Sequence, residues 1–95
     1  MEFEHLGFRL HAVQRMFERG VSTDDVRQVI RIGKVIEDYP EDKPFPTCLI
    51  LGDAEKKPLH VVLAMDRRTS RAIVITVYEP DPNLWESGFE RRKTR

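Results

Sequence analysis

Residues 11–22 read HAVQRMFERGVS, and this stretch decides the fold. At 3.6 residues per turn, Ala12, Val13, Met16 and Phe17 gather on one side of a helix. His11, Arg15, Glu18 and Arg19 gather on the other. The spacing predicts a helix from about Leu10 to Arg19, with one side to bury and one to solvate. Gly20 ends it, because glycine takes the left-handed exit conformation without a Cβ penalty. Ser22 then offers an N-cap oxygen, and Asp25, three residues on, completes a variant of the capping box. Asp24 and Asp25 also place negative charge at the positive end of a second helix dipole. Val26, Val29 and Ile30 form the buried stripe of that helix, and Gly33 closes it. A linker of about two residues predicts a tight helical hairpin or corner.

Outward from the helices the pattern turns from helical to extended. Residues 1–10 read as a short strand or an extended arm, with Phe3, Phe8 and Leu10 as apolar contacts and Gly7 interrupting any helix. On the other side, Lys34 to Tyr39 is rich in β-branched residues and reads as a strand. PEDKPFP, with three prolines, is a turn-rich loop. Thr47 to Leu51 is a second strand and GDAEKKP a polar hairpin turn. Leu59 to Met65 and Arg71 to Tyr78 are the longest apolar runs, joined by RRTS, and read as central antiparallel strands buried on both faces. Pro80 and Pro82 end the sheet. Trp85 and Phe89 fold a C-terminal segment back onto the body, and ERRKTR reads as a frayed tail. The expected architecture is α+β: an N-terminal helical pair packed on a four-stranded antiparallel sheet, in one domain over residues 1–95.

Composition narrows the function classes. The chain of 95 residues is 40% hydrophobic and 34% charged, which suits one solvated globular domain. Sixteen basic and sixteen acidic side chains cancel, so no bulk field draws the chain to nucleic acid or membrane. The charges are nevertheless uneven. Acids crowd Glu37, Asp38, Glu41 and Asp42, while bases crowd Arg67, Arg68 and Arg71 and again Arg91, Arg92, Lys93 and Arg95. A single cysteine, Cys48, excludes an internal disulfide and fits a reducing compartment. MEFEHLGFRL lacks the apolar core of a signal peptide, and no run approaches the roughly 20 apolar residues of a membrane span. A cytoplasmic protein without membrane contact is expected. His5, His11 and His60 lack the tight spacing of metal ligands, and the scattered glycines form no phosphate loop, so no metal and no cofactor is expected.

Two groups of residues could carry chemistry. His11, Arg15 and Arg19 stand in a row, one turn apart. They are either an ordinary solvated face with Glu18 available for ion pairs, or a ridge whose guanidinium forks hold phosphate oxygens beside a proton-carrying imidazole. His60 interrupts the apolar strand LHVVLAM. It is either a satisfied core histidine or one member of a polar group with Thr76 and Tyr78, if strand alternation puts them on one side. RRTS leaves that register ambiguous by one residue. Cys48, inside an apolar strand, reads as a packing residue.

The motifs HAVQRMFERGVSTDDV, GKVIEDYP, CLILG, PLHVV and IVITVYEPDPNLW resemble the bacterial domain of unknown function 4258 family, over about residues 9–90. At the level of fold, the family is similar to small RelE-like and BrnT-like toxins, which place helices before an antiparallel sheet and cut RNA without metal. That likeness implies acid–base chemistry on the ribose 2′-hydroxyl and its phosphodiester. His11, His60 and Tyr78 would be the catalytic groups, and Arg15, Arg19 and Thr76 would hold the substrate. RNA and an antitoxin-like protein would be the partners. The neutral charge departs from such toxins, which are usually basic. Two other functions fit the same residues: a non-catalytic module binding protein or nucleic acid, and an oligomerising structural domain.

Overall fold

The computed structural model describes residues 3–94. Strand β1 (His5–Phe8) precedes helices α1 (Leu10–Arg19) and α2 (Thr23–Ile32). Strands β2 (Lys34–Tyr39), β3 (Thr47–Ala54), β4 (Lys57–Asp66) and β5 (Arg71–Tyr78) follow. The α+β class and the helix boundaries agree with the sequence reading. The sheet does not: it has five strands, in the order β1-β5-β4-β3-β2, and it is mixed. β1 lies parallel to β5, with Leu6 opposite Ala72 and Phe8 opposite Val74. This corrects the four-stranded antiparallel expectation. The turn between β3 and β4 also shrinks to Glu55 and Lys56, both at positive φ (51° and 68°), so each strand runs further than the composition of GDAEKKP suggested.

The local signals between the helices act as expected. Gly20 sits at φ 68° and its N–H reaches back to the carbonyls of Met16 and Phe17. Ser22 Oγ accepts from the Asp25 N–H, and the Asp25 carboxylate accepts from the Ser22 N–H, each at 3.0 Å. The helices do not form a mutually packed pair, however. α1 lies on β5 and α2 on β3 and the flank of β4. Gly33 is where α2 meets the sheet most closely: a Cβ there would stand 2.3 Å from the Val29 carbonyl oxygen and 2.7 Å from that of Leu51.

One face of the sheet carries the main core. Ala12 and Met16 of α1 and Val26, Val29 and Ile30 of α2 pack on Cys48, Ile50, Leu59, Val61, Leu63, Met65, Ala72, Val74 and Val77. The apolar side of α1 is only half used. Phe17 is 88% exposed, Leu10 73% and Val13 45%, against the expectation that Val13 and Phe17 are buried with Ala12 and Met16. A ten-residue helix lying on one strand buries only the narrow arc that faces it.

The other face has no helix. The chain after Tyr78 turns back across it, burying Trp85, and closes a small loop in which Glu86 N–H donates to the Arg91 carbonyl and Lys93 N–H to that of Leu84, both at 2.8 Å. Residues 91–93, read from sequence as part of a frayed tail, are therefore held in place; Arg95 lies outside the described residues, as do Met1 and Glu2. Among the described residues no helix is long and apolar enough to cross a membrane.

Candidate functional site

His60 sits on the helix-free face. Leu59, Val61 and Leu63 point into the helix-covered core, so strand alternation sends His60 and Val62 the other way. Tyr78 is directly opposite His60 on β5, and Thr76 is opposite Val62. The three polar residues therefore share a face. What brings them there is a β-bulge: Val62 pairs with Thr76 but Leu63 pairs with Val74, leaving Ile75 as an extra residue. Continued without that bulge, the register from the RRTS loop would set His60 against Val77 and turn Tyr78 toward the helices.

The histidine is sealed. It is 0% exposed, and both ring nitrogens have partners. Nε2 lies 2.9 Å from the Phe89 carbonyl oxygen, which can only accept, so Nε2 carries the proton. Nδ1 is then an acceptor, and the Tyr78 hydroxyl donates to it at 3.1 Å. The Trp85 ring closes the site edge-on, with centroids 4.5 Å apart at 85°. Burial lowers the His60 pKa below the usual histidine value, although the Phe89 carbonyl and Glu37 oppose the shift. Burial raises that of the Tyr78 phenol, which stays a neutral donor.

Charged side chains fasten this cover. The Arg92 guanidinium lies 4.7 Å from the Trp85 ring centroid and 3.5 Å from the Glu37 carboxylate, which also accepts from the Tyr39 hydroxyl. That hydrogen bond is the main reason the Tyr39 pKa is raised. Lys34 pairs with Glu90 at 2.6 Å. None of these partnerships was visible in sequence, where Glu37 belonged to an acidic cluster and Arg92 to a basic tail. Among the described residues no group of three or more His, Cys, Asp or Glu side chains is placed to hold a metal ion. Cys48 is buried, which raises its thiol pKa.

His11, Arg15 and Arg19 lie elsewhere. All three are exposed on α1, on the opposite side of the sheet from His60. No ion pair among the described residues involves Arg15, Arg19 or Glu18. Arg19 lines a small cleft with Lys57 and Glu79, where the end of α1 meets the ends of β4 and β5. The sequence-derived residues thus divide into an open ridge (His11, Arg15, Arg19) and a closed group (His60, Thr76, Tyr78), and no one site contains both.

A larger cleft of about 680 Å³ lies between β1 and α2. Phe3, Leu6 and Ile30 line it, with Arg27 and Arg31 one turn apart on α2. The i, i+4 spacing of these arginines repeats that of Arg15 and Arg19 and is the sequence signal for them.

In comparison with known proteins, the family described as Domain of unknown function (DUF4258) matches residues 8–79, about three quarters of the chain. The match takes in β1 from Phe8 and everything from α1 to the end of β5, but not the segment that covers His60. No curated protein and no solved structure matches significantly.

Proposed function

The chain belongs to the DUF4258 family, and we propose that it acts on RNA through the α1 ridge, with Arg15 and Arg19 gripping phosphates and His11 moving the proton. The exposure of this ridge carries the reading. Its three side chains face water in a row, free of ion pairs among the described residues, whereas His60 has both nitrogens occupied and no access. Guanidinium forks match phosphate oxygens, and an open imidazole can take the proton of a ribose 2′-hydroxyl as it attacks its own phosphodiester. The P–O5′ bond breaks to leave a 2′,3′-cyclic phosphate, and the departing 5′-oxygen takes its proton from the His11 imidazolium or from water. Arg15 would then stabilise the charge that builds on phosphorus-bound oxygen. His60 and Tyr78 serve this reading as structure and not as reagents. The RelE-like and BrnT-like likeness supports the substrate class only by fold-level analogy.

The test is single-stranded RNA binding across a salt series, followed by cleavage. Each phosphate contact contributes about −0.7 to the slope of log affinity on log salt. Arg15→Ala with Arg19→Ala should weaken binding and flatten the slope by roughly 1.4. Cleavage should vanish in His11→Ala and persist in His60→Gln. Affinity that ignores both arginines defeats the proposal. Binding without turnover leaves a non-catalytic nucleic-acid module.

A further inference from the structure

Helix α1 leaves Leu10, Val13 and Phe17 in water along one flank, at steps of three and four residues. Such steps set side chains one turn apart on the same side, so the three form a continuous strip. Together they expose roughly 400 Å² of apolar surface, the size of the largest apolar patch on a typical monomer, which is often functional. Val13, Gln14, Phe17 and Glu18 line a shallow hollow along it.

We propose that this strip pairs α1 with α1 of a second copy, antiparallel, about a two-fold axis between Val13 and Gln14. The strip is complementary to itself in that arrangement. Leu10 meets the partner's Phe17, and Phe17 meets the partner's Leu10, so a large ring faces a smaller side chain at both ends. Val13 and Gln14 straddle the axis. A two-fold axis perpendicular to the helices keeps each edge of the strip on the same side in both copies. Glu18 therefore lies beside the partner's His11, where an imidazole N–H faces a carboxylate. No other charged residue of α1 falls opposite a like charge, because Arg15 and Arg19 point away from the strip and Arg9 stands about nine residues along the axis from its own copy. A helix of ten residues is short, so the contact stays below about 1,200 Å² in total and makes a weak, exchanging dimer. This inference rests on the apolar strip and the Glu18–His11 apposition and does not require that the chain act on RNA, although the two readings share His11.

Sedimentation equilibrium from about 10 μM to about 1 mM protein tests it, since weak dimers dissociate within that range. The average mass should climb from the 11.2 kDa of one chain toward twice that value. Phe17→Glu should weaken association at least about tenfold with an unchanged circular dichroism spectrum, because the Phe17 side chain is 88% exposed in its own chain. Gln14→Cys should form disulfide-linked dimers under mild oxidation, since the axis passes beside it, while the buried Cys48 should not. A monomer at every concentration overturns the proposal and leaves the strip to a different protein. So does a Phe17→Glu variant that dimerises as well as the parent. Failure of Gln14→Cys to cross-link in a chain that does dimerise overturns the antiparallel arrangement.

Discussion

His60 is held in one tautomer by two partners of different kinds. The Phe89 carbonyl can only accept and the Tyr78 hydroxyl is turned to donate, so a second ring proton would force that hydroxyl away and place charge beneath Trp85. The folded pKa is therefore lowered, chiefly by burial. In the unfolded chain the ring takes its proton near pH 6.5. Between those two values the unfolded state holds more protons, so stability falls as pH falls. Above about pH 6.5 this group contributes its stability in full. Thermal melts should drop between about pH 7.5 and pH 5, and His60→Gln should drop less steeply while starting lower. A parallel fall in both proteins would place the titration elsewhere. The Tyr78 contact is open to a double-mutant cycle of His60→Gln and Tyr78→Phe. Removing either partner strands a buried polar atom at a cost of about 1–2 kcal/mol, and the two losses should couple by at least about 0.5 kcal/mol. Strict additivity would mean that the hydrogen bond contributes nothing.

The helix termini show that one residue type can stop a helix for two reasons. Gly20 is needed for its conformation: its φ is 68°, and an added Cβ would meet nothing within 4 Å. Gly33 is needed for space: its φ is an ordinary −74°, but a Cβ would collide with two backbone oxygens. Gly20→Ala should cost about 1 kcal/mol of left-handed strain. Gly33→Ala must push α2 off β3 and should cost roughly 2–4 kcal/mol. In urea, both midpoints should fall at constant slope, Gly33→Ala further, and a reversed order would refute the steric account. Sequence exposed both glycines as helix ends, because a periodic stripe stops there, but not which mechanism acts. Signals confined to a few neighbouring residues, such as the Ser22–Asp25 box, were legible in the same way. What escaped were features set by distant segments. The partner of β1 lies 66 residues away at His5 and Arg71, and four residues carry too little pattern to announce a parallel edge. The arc of α1 that stays wet depends on how it lies on β5. The grouping of His60, Thr76 and Tyr78 hung on a one-residue register, decided by a bulge at Ile75 that the β-branched run IVITV does not mark.

At the scale of the molecule, the sheet divides the chain into two faces that share little besides its backbone. The helix side holds the main core and the open ridge, and lies almost wholly within the family match. The other face is closed by residues beyond that match: Trp85, Phe89 and Arg92. Among the described residues Trp85 is the one large apolar side chain that the covering segment buries, against His60 and under Arg92, so its attachment depends heavily on that ring. Trp85→Ala should remove roughly 3–5 kcal/mol, a large share of what a domain of this size possesses. The consequence should stop at the sheet. Core strands transmit volume changes to their neighbours, but sites more than about 7–10 Å apart with no shared partner add independently. Trp85→Ala combined with Phe17→Glu should therefore show additive stability losses within about 0.5 kcal/mol, nearly all from Trp85. At a temperature where Trp85→Ala is still folded, its self-association and its RNA affinity should match those of the parent. A large coupling between the two substitutions would mean that the cover over His60 governs the helix face, and that the sheet transmits between its faces what its side-chain alternation separates.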